Sequence, residues 1–304
     1  MNSTTKSKLR SILSSVAVLA FWLAVWQLLS MLVDREYFLP SVPVTLERLG
    51  GLLITSGFWR TALFTLLRVL AGLTIGVVLG FVLAVSCHLF SPLKKLLSPL
   101  ITVIRSTPVA TFIILLWIMM SGDSLAILIA VLMVMPIVWQ NLLDGFSSID
   151  PQLEEVAYLF NFSFKKKMKL LVFPALKKYL IPAIITSVGL GWKSEIAAEI
   201  IAYTRNSVGQ MINDAKFDLD TPTVFAWTLV VVFLSIVLEK TAKLLFFFIR
   251  KSAKHLGFKG SAVVPHYLKN FTCFFGKNKL FKSGVIIHRF SCYKTVFNKK
   301  VHVF

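Results

Sequence analysis

Three of the few residues able to do chemistry in this chain share one helix-length apolar stretch: Lys193, Glu195 and Glu199. Counting from Lys178 at ~1.5 Å per residue puts Lys193 ~22 Å into that stretch, past its middle, and Glu199 near the far edge. Glu195 and Glu199 are four residues apart and share a helix face, whereas Lys193 points elsewhere. A charge turned to lipid costs about 2.5–3.5 kcal/mol, so all three are expected to face protein or water. Two acids on one intramembrane face could hold a proton or an ion, which is secondary-transporter or channel chemistry. They could instead line an outer gate or solute vestibule, or pair with neighbouring helices. Glu199 is expected to face protein or water at the outer edge. Arg105 and Pro108 form a second candidate pair, a little way into another apolar run. Pro108 removes a backbone donor, so the helix either kinks there or starts there. A break at depth is tolerated where it is buried in protein or lines a cavity. Arg68, in the first turns of a further run, is read as a snorkelling side chain or an anion ligand.

The elements that must position these residues are apolar helices. The 304 residues are 56% hydrophobic and the mean hydropathy is +0.76. Roughly 20 helical residues cross the hydrocarbon of a bilayer. Six runs reach that length, at about 12–33, 62–90, 97–119, 124–143, 179–201 and 222–249. The first follows Lys6, Lys8 and Arg10 like a signal peptide. It is too long for one and lacks a small-x-small cleavage site, so it reads as an uncleaved first helix. Gly72, Gly76 and Gly80 recur every four residues in the second run, a spacing that lets two helix backbones approach closely.

Lysine and arginine asymmetry sets the orientation. With the N-terminus in the cytoplasm, the inside segments hold Lys6, Lys8 and Arg10, then Lys94 and Lys95, then Lys165–Lys169 with Lys177 and Lys178. The outside segments are balanced: Asp34, Arg35, Glu36, Glu47, Arg48 and Arg60, then Asp123, then Arg205, Asp214, Lys216, Asp218 and Asp220. The formal charge of +19 therefore points to anionic lipid rather than nucleic acid, because the basic residues flank spans or follow Glu239, the last acid. Cys87 sits in a predicted span and is expected to pack. Cys273 and Cys292 match no metal-binding spacing. The tail 251–304 has no Asp or Glu. It reads either as a basic extension on the anionic leaflet or as unselected sequence, and no function is assigned to it.

One inside loop is built differently from the others. It runs Glu155-Val156-Ala157-Tyr158-Leu159-Phe160-Asn161, then through Lys165–Lys169 and Leu170-Leu171-Val172 to Phe173-Pro174. Asn161 is placed where a positive-φ turn is expected, the position at which Asn ranks next after Gly. This register resembles the EAA loop of ABC-importer permeases: E-A-A, three residues, G, nine residues, I-x-L-P. Glu155, Ala157, Leu171 and Pro174 match. Val156 replaces the first Ala, Asn161 the Gly, and Phe173 the usual Leu. The phrases Leu39-Pro40-Ser41-Val42-Pro43, Thr65–Gly72, Ser91-Pro92-Leu93-Lys94-Lys95, Arg105-Ser106-Thr107-Pro108, Ala197-Ala198-Glu199-Ile200 and Phe225-Ala226-Trp227 resemble the nitrate/sulfonate/taurine branch of that family, over residues 12–250.

The resemblance implies an all-α, type I importer (MetI-like) permease domain over 1–250, working by alternating access. It implies that Glu155, Ala157, Asn161, Leu171 and Pro174 couple to a separate ATPase subunit, which binds the ATP, and that an extracytoplasmic binding protein delivers the solute. It also implies a permease homodimer in the bacterial inner membrane. The sequence agrees on one point independently. No G-x-x-x-x-G-K-[ST] phosphate loop occurs, nor any Ser/His/Asp, H-E-x-x-H or paired-carboxylate arrangement in the spans, so no catalytic residue and no cofactor of this chain's own is expected.

Overall fold

The computed structural model describes residues 3–120 and 122–255, with side chains described for 13–120 and 122–248. The tail therefore lies, but for its first five residues, outside the described residues, as do Cys273 and Cys292. Of the described residues, those from Ala17 onward belong to one compact unit, and the description that follows concerns it. Every element among the described residues is helical: α1 (Ser3–Val33), α2 (Val42–Ile54), α3 (Ser56–Leu89), α4 (Ser91–Ser106), α5 (Val109–Trp117), α6 (Asp123–Ser147), α7 (Pro151–Leu159), α8 (Phe164–Lys167), α9 (Phe173–Ile201), α10 (Val208–Phe217) and α11 (Thr221–His255).

Five helical stretches are long and apolar enough to cross a membrane: Leu13–Val33, Ser56–Leu89, Asp123–Ser147, Phe164–Ile201 and Thr221–Phe248. The expected third span is not one helix. It is the pair α4 and α5, bent by 100° at residues 107–108. Thr107 (φ −80°, ψ 133°) and Pro108 (φ −58°, ψ 134°) are both extended. The residue before a proline is pushed out of the helical region, and proline itself has no N–H to continue the ladder. Of the two readings of Pro108, a kink within the run or a helix start, the structure shows a break, with one helix on each side. The fifth span begins earlier than expected, because α8 runs into α9 through a π-helical turn, Met168–Val172.

The core is a block of α3, α6 and α9. The α3–α6 interface is the most extensive in the molecule and α6–α9 comes second. Glycine makes the first possible. A Cβ on Gly72 would lie 2.5 Å from the Cβ of Ala130, one on Gly76 2.8 Å from the Cβ of Val134, and one on Gly80 2.7 Å from the carbonyl of Met135. The backbones thus approach as closely as the four-residue glycine spacing suggested. Around this contact Val69, Val134, Val138, Trp139, Leu142 and Trp192 are buried. Cys87 packs here, and its Sγ accepts from Trp139 Nε1 at 3.5 Å.

One end of the block carries α2, α10 and the start of α6, and the opposite end carries α7 and α8. At the first end the segment after α1 is tied down by polar contacts. Trp26 Nε1 donates to the Pro40 carbonyl at 3.0 Å and Gln27 accepts from the Val42 N–H at 3.0 Å. Trp26 also lies against Phe225 of α11, with ring centroids 5.7 Å apart. The surface of α3, α4 and α11 remains rich in exposed Leu, Phe and Val, as expected of helices whose solvent is hydrocarbon.

Candidate functional site

Two assemblies hold the residues singled out in the sequence, one at each end of the block. The first is the loop between α6 and α9. Its base is closed where Gly145, near the end of α6, meets Leu176 and Tyr179 of α9; a Cβ on Gly145 would come within 3.2 Å of Leu176. The loop's first helix, α7, begins at an Asp150 cap whose side chain accepts from the Gln152 N–H at 2.9 Å, with Pro151 at the first helical position. It ends in a Schellman motif. Asn161 takes φ +46°, its N–H bonds to the Tyr158 carbonyl at 3.0 Å, and the Phe162 N–H bonds to the Ala157 carbonyl at 2.9 Å. Asn161 thus occupies the left-handed position its type and place suggested. Asn161→Gly is expected to be nearly neutral. Asn161→Val should cost about 1–2 kcal/mol, the penalty for a side chain held in that conformation. Faster proteolytic cleavage between 157 and 163 in the Val variant alone would report it.

Beyond the turn, Lys166 Nζ lies 4.1 Å from the Phe162 ring centroid and Lys167 pairs with Glu154 at 3.2 Å. The ion pair is half exposed and contributes little. Pro174 follows the π turn in which the Phe173 N–H reaches back five residues to the Met168 carbonyl. The wider turn accommodates a proline that cannot bond to residue 170 and would crowd its carbonyl.

Of the loop residues matched by resemblance, Ala157 is buried, Leu171 and Pro174 are half-buried, and Glu155 is exposed. Sequence reasoning passed over the apolar residues beside them. Tyr158, Leu159, Phe160 and Phe164 are 82%, 75%, 73% and 77% exposed, so a well-capped helix presents its bulky side chains outward.

The second assembly centres on Arg68. Its guanidinium makes four contacts: Nε to Asp123 Oδ1 at 2.8 Å, Nη1 to Glu199 Oε1 at 2.9 Å and to the Asn206 carbonyl at 3.3 Å, and Nη2 to the Arg205 carbonyl at 2.9 Å. Glu199 also accepts from Thr65 Oγ1 at 2.8 Å and from the Gly209 N–H at 3.2 Å, and the Val208 N–H donates to Thr65 Oγ1 at 3.0 Å. Arg68, Thr65 and Glu199 are buried, while Asp123 is exposed at the rim. A Cβ on Gly209 would meet the Glu199 backbone at 2.5 Å, so only glycine allows the 205–209 segment to lie this close.

This network replaces both readings of Arg68 and decides between those of Glu199. Arg68 neither snorkels nor stands free for a solute; it joins α3, α6, α9 and the 205–209 segment. Glu199 faces protein and has no exposed surface to offer a vestibule. Thr65, Asp123 and Gly209 were not singled out as its partners. The available signal was one cation and one anion at matching depth in two apolar runs.

Glu195 lies one turn away, fully buried, and neither of its oxygens meets a hydrogen-bond partner. Arg105 and Pro108 are not part of this assembly. Both are exposed at the α4–α5 break. Among the described residues no group of His, Cys, Asp and Glu is arranged to hold a metal ion.

Residues 76–251 match the family described as binding-protein-dependent transport system inner membrane component. The chain belongs to that family. The taurine transport system permease protein TauC of Escherichia coli K12 is 26% identical over 237 residues, covering 76% of this chain and 86% of that one. The aliphatic sulfonates transport permease protein SsuC of Bacillus subtilis 168, itself described as putative, is 30% identical over 216 residues, covering 67% and 74%. These place the chain in the nitrate/sulfonate/taurine branch of ABC-importer permeases. The crystal structure of an amino acid ABC transporter with histidines superposes with a TM-score of 0.52 at 21% identity, over 64% of this chain and 94% of the other, which shows the shared all-α permease fold. The protein is a multi-pass membrane permease of an ABC importer.

Proposed function

We propose that this chain forms the translocation pathway for a small solute, such as nitrate, a sulfonate or taurine, and that a separate ATPase subunit drives it by docking on the 155–174 loop. The observation that carries the docking is the outward-facing set Tyr158, Leu159, Phe160 and Phe164 on a loop whose first helix, α7, is capped at both ends. Exposed bulky apolar side chains on an ordered, charged loop fit a partner's groove better than solvent. The lysine asymmetry puts this loop and the N-terminus in the cytoplasm, where nucleotide is bound and hydrolysed by the partner. An extracytoplasmic binding protein would then meet the opposite end, with α2 and α10. Two copies of the chain enclose the pathway, using faces that a single copy leaves uncovered. The intramembrane acids give little support to a secondary transporter, because Glu199 is already bound by Arg68, Thr65 and Gly209.

The test is Leu159→Glu and, separately, Glu155→Lys in the complex purified with its ATPase. Neither side chain is buried, so membrane content should stay normal. Leu159→Glu should strip the ATPase during purification, and Glu155→Lys should abolish solute-stimulated hydrolysis. Full retention of the partner and full stimulation in both variants would show that the loop is not the docking site.

A further inference from the structure

The helix α9 buries Val188, Gly191, Trp192, Glu195, Ile196, Ala198 and Glu199 against the block. Its opposite stripe, Pro182, Thr186, Leu190 and Lys193, is exposed. Lys193 therefore stands on an open face, eight residues, or ~12 Å, from the end of α9. An ammonium at that depth is costly against lipid, so the face must meet protein or water. Among the described residues no ion pair includes it. Towards α5, Ala197 and Ile201 pack beside Val109, Phe112 and Leu116. Towards α11, Gly189 abuts the carboxylate of Glu239, which pairs with Lys243 at 3.5 Å. The other ion pairs among the described residues join Arg68 to Asp123 and Glu199, and Lys167 to Glu154. Lys193 is thus an intramembrane cation that none of these ion pairs includes, on a helix whose two acids, Glu195 and Glu199, are turned inward.

We propose that Lys193 is the residue that selects the solute: its ammonium binds the solute's anionic group as it passes the open face of α9. The proposal rests on the reading of this chain as the pathway-forming subunit. An ammonium is a compact point charge with rotatable donors. It can follow a moving anion and release it, whereas the Arg68 fork is held by four fixed partners. Thr186, about two turns away on the same stripe, offers a hydroxyl that tolerates a polar solute without adding charge.

The experiment uses the complete transporter, with its ATPase and binding protein, in proteoliposomes. Labelled taurine, methanesulfonate and nitrate are the probes. For whichever is transported, Lys193→Gln should lower uptake at sub-saturating solute by roughly 10- to 100-fold, the range for loss of one charged hydrogen bond. Lys193→Arg should stay within about threefold, because the charge remains. The complex should assemble in normal amount in both.

A second measurement separates this inference from the reading beneath it. Lys193→Cys, with Cys87, Cys273 and Cys292 replaced, should react with a membrane-impermeant thiol reagent, and nucleotide should alter the rate. If the cysteine labels from water but Lys193→Gln transports all three anions normally, the pathway reading stands and the anion proposal is wrong. If wild type hydrolyses ATP but transports none of the three, the anion proposal is also wrong. Labelling only by a lipid-soluble reagent would put the face in lipid and overturn both.

Discussion

Replacing Arg68 by methionine is expected to lower the thermal midpoint of the detergent-solubilised protein by roughly 6–20 °C. Removing one member of a buried ion pair costs about 3–5 kcal/mol, because the partner is left charged and unpaired. One kcal/mol moves the midpoint by about 2–4 °C in a protein of this size class. Glu199 keeps only Thr65 and the Gly209 N–H in that variant, while the Arg205 and Asn206 carbonyls lose their donor. Adding Glu199→Leu to the same chain should recover a large part of the loss, since the carboxylate that Arg68 contacts directly is then removed with it. Asp123→Asn should cost less than about 1 kcal/mol, as that carboxylate sits at the exposed rim. A double variant no more stable than the sum of its single losses would show that Arg68 and Glu199 do not act as a pair.

Gly80→Val is expected to prevent correct assembly of the α3–α6 interface, and Gly80→Ala to destabilise it by about 1–3 kcal/mol, the usual cost of overpacking. The obstacle at Gly80 is the Met135 carbonyl at 2.7 Å with the branched Val138 behind it, and neither can swing aside as a long side chain would. Gly57 supplies the control on the same helix, because a Cβ there meets nothing within 4 Å. Gly57→Ala should be neutral or stabilising by up to about 1 kcal/mol, from helix propensity alone. The comparison is read as the thermal midpoint of the two alanine variants side by side. Equal midpoints would mean that α3 and α6 can separate without loss.

What the sequence revealed divides along physical lines. Apolar run length marked five spans, since hydrocarbon thickness alone sets it. The glycine spacing in α3 and the left-handed turn at Asn161 were legible because each depends on one local rule. The break at Pro108 was seen as a choice between a kink and a start. Its 100° angle was not legible, because that depends on where α5 packs against Ala198 and Ala202. The Arg68 network was missed for a similar reason. Its partners are 55 to 138 residues apart in the chain, and several are backbone groups that carry no sequence signature. The apolar face of α7 went unremarked because the loop was read by its register rather than by which side chains its capped helix turns outward.

The loop that carries α7 grows out of α6 and returns into α9, and both are members of the block that glycine contacts and the Arg68 network hold together. Neither end of the loop is anchored to a loose element. A push delivered at Tyr158 or Leu159 has no slack to take up. The base is pinned at Gly145 against Leu176 and Tyr179, and the far end is stapled at Arg68. On the docking reading, the three helices would tilt as a single lever with the loop as its handle. Among the described residues the spans are broken between α4 and α5, where such a tilt would articulate.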